Sequence, residues 1–390
     1  MNKKIILYCV GFAAFFGPFT QTIYTPILPE IQHEFQTSGF IVNLTISIFT
    51  FVLAMMQMVY GPLTDKIGRR RILLPAILLY IAASAGASLS PSIWGLLFFR
   101  AVQAAGIAAG SVVATTVIGD IFEGKSLGRS MGTFQTLVTL GPVVGPVVGG
   151  FVGGYTGYQG VFWVLTGTGL LMFLANVKLL PETKPEGPQR KGFSFSDFTI
   201  VLKNRTGLAV VLLGFIQYYS FYNFLVFLPN LLASFYGLSA SQKGLVFLPM
   251  SMFLVIGSFA GGRLQERGNA RTFLIITSSL NVLATVLFVI LSPLSLPVLI
   301  FSISLFGLCL GLSLPVQTTL LARAFTQNRA TAIGVYNFFR YLGMAAGPIV
   351  GSVFYQLGDR IEFLFAAFLF AAAVIFARRQ FLKTEHFQVN

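Results

Sequence analysis

Apolar stretches of about 20 residues, the length that crosses a bilayer, recur twelve times along this chain. They fall at 5–28, 39–63, 72–91, 93–119, 130–154, 160–180, 207–233, 241–262, 272–291, 296–321, 330–354 and 361–380. Inside hydrocarbon no water satisfies backbone N–H and C=O groups, so each stretch must close its hydrogen bonds internally, as an α-helix. The expected fold is therefore an all-α membrane protein with twelve transmembrane helices. Only 10% of residues are charged, against about a quarter in a soluble domain. The longest polar connector, 181–206, carries Pro181, Glu182, Lys184, Pro185 and Glu186. It is expected to link a six-helix bundle at 1–180 to a second at 207–390, which ends in a short tail.

The formal charge of +14 invites a nucleic-acid reading, but the placement of the bases argues otherwise. With the N-terminus inside, Lys3, Lys4, Lys66, Arg69, Arg70, Arg71, Arg129, Arg263, Arg271, Arg323, Arg329, Arg378, Arg379 and Lys383 all fall on the cytoplasmic side. The outer connectors keep only Lys243 and Arg360. Both termini are then cytoplasmic, and the lipid bilayer rather than nucleic acid accounts for the charge. The apolar run after Met1-Asn2-Lys3-Lys4 continues to about Leu28 with no small-residue cleavage site, which reads as an uncleaved first span. Cys9 and Cys309 read as small apolar packers. No cluster has metal-ligand spacing, and no phosphate-cradling glycine loop is present, so neither a cofactor nor an enzymatic activity is expected.

Within the fifth stretch stands Gly141-Pro142-Val143-Val144-Gly145-Pro146-Val147-Val148-Gly149-Gly150. The prolines remove backbone donors and bend a helix, while the glycines leave a smooth stripe for a neighbour. Gly141, Gly145 and Pro146 recur at one constant offset as Gly343, Gly347 and Pro348. Gly61-Pro62-Leu63-Thr64-Asp65-Lys66 matches Gly262-Arg263-Leu264-Gln265-Glu266-Arg267 at nearly the same offset. The halves are thus related repeats, an arrangement that suits alternating access to a site at mid-depth.

With these residues in view, the chain resembles the major facilitator superfamily over nearly its whole length. Gly61-Pro62-Leu63-Thr64-Asp65-Lys66-Ile67-Gly68-Arg69-Arg70-Arg71 is similar to its loop 2–3 signature, and Arg100-Ala101-Val102-Gln103-Ala104-Ala105-Gly106 to its span-four motif. The glycine-proline run resembles the span-five motif of drug:proton antiporters. Tyr24 to Pro29 and Pro181-Glu182-Thr183 resemble the twelve-span members that include the bicyclomycin and chloramphenicol exporters. The resemblance implies two pseudo-symmetric bundles and a latch formed by Asp65, Arg69 and Asp120. It also implies roles in proton movement for the motif containing Arg100, Gln103 and Gly106.

Physical reasoning supplies further candidates. Asp65 can pair with Arg69 one turn on. A guanidinium at the depth of Arg100 or Arg340 is costly unless paired or hydrated, so each is expected to line a cavity; snorkelling of Arg100 to the headgroups is the plainer alternative. Gln21, Gln57, Gln217, Tyr218, Tyr222, Asn223, Asn337 and Arg340 are the expected substrate contacts, mixing amides and aromatics as adaptable pockets do. All twelve acids are read as lying at helix ends or in loops, with Asp120 and Glu30 the leading proton carriers. The expectation is a monomeric inner-membrane exporter that exchanges protons for small amphiphilic drugs, neutral or anionic ones favoured. The alternatives are an exporter of one metabolite (a sugar, amino-acid derivative or siderophore), a lipid flippase, and a non-transporting membrane sensor.

Overall fold

Thirteen helices and one short 3₁₀ turn make up the described part of the computed structural model, which covers residues 3–184, 195–265, 268–326 and 329–389. Pro185 and Glu186 of the linker, and Glu266 and Arg267 of the second repeat, lie outside the described residues. The helices are α1 (Lys3–Thr22), α2 (Leu28–Glu34), α3 (Gly39–Ile67), α4 (Arg69–Ser88), α5 (Ile93–Ile121), α6 (Gly124–Leu179) and α7 (Phe195–Lys203). They continue with α8 (Arg205–Tyr236), α9 (Ala240–Leu264), α10 (Ala270–Leu291), α11 (Leu296–Ala324), α12 (Arg329–Tyr355) and α13 (Ile361–Val389).

Ten segments among the described residues are long and apolar enough to cross a membrane. One of them, Arg129–Leu179, has 51 residues, enough for two crossings at about 20 residues each. Here the expected break between spans five and six is a kink inside one continuous helix, α6. Only Gly157 leaves helical geometry, at φ 66° and ψ −171°, a conformation that glycine adopts without a Cβ clash. The 27-residue α12 falls short of the same hydropathy standard because Asn337 and Arg340 interrupt it.

Other boundaries shift for equally local reasons. The first span ends at Thr22 and passes through the 3₁₀ turn Thr25–Ile27 into α2, since Pro26 and Pro29 cannot donate to a continuous ladder. The linker contains α7, whose Phe198 ring meets Phe338 at 5.3 Å and Phe339 at 6.1 Å. Side-chain caps start several helices: Ser38 accepts from the Ile41 amide, Ser92 from Gly95, and Asn204 from Gly207.

The chain divides into two compact units, 1–193 with 238–245, and 194–237 with 246–390. Within the first, α1 packs on α6 and α5, α3 on α5, and α4 on α5 and α6. Within the second, α8 packs on α12, α11 and α13, and α10 on α11 and α13.

Glycines permit the tightest of these approaches. In unit 1 a Cβ on Gly141 would sit 2.8 Å from the Phe19 amide nitrogen, and one on Gly149 would fall onto the Ile23 carbonyl oxygen. In unit 2 a Cβ on Gly343 would strike the Phe215 carbonyl, and one on Gly347 would come to 2.7 Å from that of Tyr219. The α1–α6 and α8–α12 contacts are therefore built alike, by small-residue stripes that admit a neighbouring backbone. Large apolar side chains such as Trp94, Phe98, Phe259 and Phe368 remain exposed, as lipid-facing positions require.

Candidate functional site

The turn between α3 and α4 gathers the first candidate residues. Gly68 takes φ 125°, and a Cβ there would meet Glu182 Oε2 at 2.6 Å, so the turn needs glycine for both reasons. The turn delivers Arg69 beneath the end of α5. Its Nε donates to Asp120 Oδ2 at 2.8 Å, its Nη2 lies 3.3 Å from Asp65 Oδ1, and its Nη1 donates to the Thr64 carbonyl at 3.2 Å. Arg69 is buried, Asp120 nearly so, and Asp65 half-exposed.

The start of the linker completes this cluster, which sequence reasoning had built from Asp65, Arg69 and Asp120 alone. Thr183 Oγ1 donates to Asp120 Oδ2 at 3.0 Å. Glu182 Oε1 accepts from the amides of Arg69 at 2.8 Å, and of Thr183 and Lys184 at 3.1 Å each. Partial burial raises the Glu182 pKa, but the backbone donors outweigh it and hold the carboxyl below its ordinary value. Lys184 Nζ donates to the Lys66 carbonyl at 2.8 Å. Pro181-Glu182-Thr183 was visible in the sequence; its docking on the α3–α4 turn was not, because the contacts span more than a hundred residues.

The interior of unit 1 centres on Arg100. Its side chain is fully buried, which decides against snorkelling. Arg100 Nη1 donates to Gln103 Oε1 at 2.6 Å and to the Thr20 carbonyl at 3.4 Å. Its guanidinium carbon lies 4.0 Å from the centre of the Phe49 ring and 4.4 Å from that of Tyr24. Gln103 Nε2 in turn donates to Ser84 Oγ at 2.7 Å, while Thr20 and Tyr80 hydroxyls pair at 2.8 Å. Amide, carbonyl and ring faces together offset part of the cost of burying the charge. Gly106, two turns on, lets α4 approach closely: a Cβ there would lie 2.5 Å from the Tyr80 amide nitrogen.

Unit 2 places Arg340 differently. It is half-buried, with its guanidinium carbon 4.9 Å from the Tyr218 ring centre, 5.4 Å from Tyr341 and 5.9 Å from Tyr336. The Tyr336 hydroxyl donates to Gln317 Oε1 at 2.7 Å. Gln317 Nε2 donates to Gln217 Oε1, and Gln217 Nε2 donates to Ser313 Oγ at 2.8 Å. Both glutamines are fully buried. Gln217, Tyr218 and Arg340 thus belong to one polar-aromatic network, and Gln317, Ser313 and Tyr336 are members that sequence reasoning missed. Gln317 was findable as the one side-chain amide in the 296–321 stretch.

The other expected contacts are dispersed. Gln21 Nε2 donates to Thr50 Oγ1 at 2.6 Å and Gln57 Nε2 to Ser111 Oγ at 3.1 Å, both within unit 1. Tyr222 and Asn223 are buried in α8, and Asn337 is half-buried in α12. Of the two leading acids, Asp120 binds Arg69, and Glu30 accepts from the buried Lys243 at 2.7 Å within unit 1. Lys243 was read as an outer-loop base; α9 begins three residues before it and draws it inward. Glu362 stands at a helix end, as expected, in the first turn of α13, but its side chain is fully buried there.

Paired apolar bundles with polar interiors define a multi-pass membrane transporter rather than an enzyme. The chain matches the model of the Major Facilitator Superfamily over residues 10–341 and 210–389, and it belongs to that family. Citrate exporter 1 of Aspergillus niger is 31% identical over 183 residues, which are 47% of this chain and 35% of that one. This chain therefore spans about a third of that relative's length. The uncharacterized MFS-type transporter YdgK of Bacillus subtilis is 26% identical over 96% of this chain and 94% of its own. Multidrug transporter AQR1 of Candida glabrata is 29% identical over 47% of this chain and 31% of its own. Among solved structures, a bacterial homolog of the human lysosomal transporter Spinster superposes with a TM-score of 0.83 at 19% identity, covering 98% of this chain and 99% of that one. At that identity the likeness concerns the fold.

Proposed function

We propose that this transporter exports small amphiphilic solutes in exchange for protons, by alternating access, and favours neutral or anionic substrates. The observation that carries the reading is Arg340, half-buried among Tyr218, Tyr336 and Tyr341 and backed by the Gln217–Gln317 pair. A guanidinium on the faces of tyrosines attracts anions and planar polar groups and repels lipophilic cations. In this reading Asp65, Arg69 and Asp120 form a latch at the cytoplasmic ends of α3, α4 and α5, and the linker residues Glu182 and Thr183 brace it. The glycine stripes of α6 and α12 supply a sliding surface within each unit, and Arg100 with Gln103 holds the interior of unit 1 rigid. Both termini are cytoplasmic, and the transporter works as a monomer.

A relative that is a multidrug transporter supports the broad-specificity form, and one that is a citrate exporter supports a dedicated exporter of carboxylates. Purified protein in liposomes with an imposed pH gradient separates these. Chloramphenicol, citrate and ethidium are added in turn while proton flux is followed. Proton movement with chloramphenicol is the expected result, and movement with citrate alone identifies the carboxylate exporter. A response to ethidium alone overturns the assignment of Arg340, and silence for all three overturns drug:proton exchange.

A further inference from the structure

One buried carboxyl group in unit 2 has neither an ion pair nor a side-chain hydrogen bond among the described residues. Glu362 stands in the first turn of α13, its side chain fully buried, and beyond its own backbone amide neither carboxyl oxygen has a hydrogen-bond partner. Phe363, the next residue, packs its ring 4.8 Å from that of Phe224 on α8 and 4.9 Å from that of Phe288 on α10. Phe365 stacks at 3.8 Å on Phe354 of α12. Glu362 is thus buried at the start of α13, beside residues that pack this helix against α8, α10 and α12.

The polar groups around it are equally unusual. On α8, the Tyr219 hydroxyl and the Asn223 side chain are buried one turn apart and reach each other, with no hydrogen bond of good geometry to another helix. Asn223 faces the glycine stripe of α12, where a Cβ on Gly351 would come 2.8 Å from its Oδ1. Glu362 is within electrostatic reach of Tyr219 on α8, Tyr355 at the end of α12, and Asp359 and Arg360 just before it. The Arg360 guanidinium carbon lies 5.6 Å from the Phe235 ring centre, and no ion pair joins it to Glu362 among the described residues. From α10 the only titratable side chain is Arg271, in the first turn, at the opposite end from Phe288.

A buried carboxylate without hydrogen bonds or a counter-ion is expensive, and binding a proton removes most of that expense. The helix N-terminus beside it favours the negative form by a smaller amount, which keeps release of the proton within reach. The buried Tyr219 hydroxyl and Asn223 amide, which reach only each other, provide polar groups that a small rearrangement of α8, α12 and α13 brings to the carboxyl. Asp120 and Glu30, by contrast, are already engaged in ion pairs with Arg69 and Lys243.

We infer that Glu362, buried at the start of α13 within reach of Tyr219 and Tyr355, takes up and releases the proton that drives transport. This rests on the antiport reading above, so the experiment tests the site and the coupling separately. Infrared titration of wild type and Glu362→Gln in lipid reads the carbonyl stretch of a protonated carboxylic acid. A band present at neutral pH in wild type and lost in the variant supports the site. Its absence at neutral pH in wild type overturns it. Liposome assays with chloramphenicol and citrate then compare flux driven by a pH gradient with exchange in its absence. Glu362→Gln should lose stimulation by the gradient and keep exchange, which also shows that it folds, while Glu362→Asp should regain stimulation with a shifted pH midpoint. Wild-type stimulation in Glu362→Gln overturns the carrier role while leaving antiport intact. A wild type that exchanges either probe but ignores the gradient overturns antiport and the carrier role together, and the infrared band then reports whether the proton site itself stands.

Discussion

Arg100 and Arg340 are both arginines within apolar helices, yet their surroundings differ. Arg100 is fully buried and held by the Gln103 amide, the Thr20 carbonyl and two ring faces. Arg340 is half-buried and meets three tyrosine rings, with Tyr336 and Tyr341 also within hydrogen-bonding reach. The two units share a backbone plan, in which glycine stripes join α1 to α6 and α8 to α12. What fills the plan differs: in unit 1 the arginine belongs to a closed network, in unit 2 to an open aromatic face. Repetition therefore preserves the scaffold, where any side chain would clash, and releases the interior for specialised chemistry.

The sharpest way to break this comparison uses the shared scaffold. Gly149 and Gly351 occupy equivalent places, but a Cβ on Gly149 would overlap the Ile23 backbone, whereas one on Gly351 meets only the side chains of Phe227 and Asn223. Gly149→Ala should therefore destabilise by about 3 kcal/mol or more, and Gly351→Ala by about 1 kcal/mol, because side chains yield where backbone does not. Thermal melts of the two variants in detergent check the order. Equal losses would mean that the stripes are not the rigid part of the plan.

A smaller effect separates the two arginines. Gln103→Leu removes the amide acceptor of a buried guanidinium and should cost about 1–3 kcal/mol of stability. Arg340→Ala should leave the melting temperature nearly unchanged and alter which of chloramphenicol, citrate and ethidium is carried. If Arg340→Ala melts early with its substrate profile intact, the tyrosine-lined arginine is structural, and the contrast with Arg100 disappears.

The smallest effect concerns the junction cluster. The folded-state pKa of Glu182 lies below its ordinary value, so its contribution is present at neutral pH and is lost as pH falls through that lowered value. Exchange protection of the Arg69 and Thr183 amides, which donate to Glu182, should accordingly persist through mildly acidic pH and fall only below the ordinary carboxylate range. Glu182→Gln should remove that pH dependence. Protection that fades at higher pH would show that the linker is not held by the carboxylate.

Much of this protein is written in local sequence. The apolar periods dictate membrane helices because hydrocarbon offers the backbone no other partner. The spacing of Gly141, Gly145 and Gly149 dictates a close helix contact, and Asp65 lies one turn from Arg69. Local sequence could not say which helix would meet the stripe, or that Thr183 of the linker would reach Asp120 beside Arg69. It also could not say that Gln217 would find Gln317, that Lys243 would be buried against Glu30, or that Glu362, one residue inside a helix end, would be sealed from water. Helix formation depends on contacts a few residues apart, whereas the environment of a charge depends on helices brought together from across the chain. That environment, which sets the free energy of burying a guanidinium or a carboxyl, was decided only by the tertiary structure.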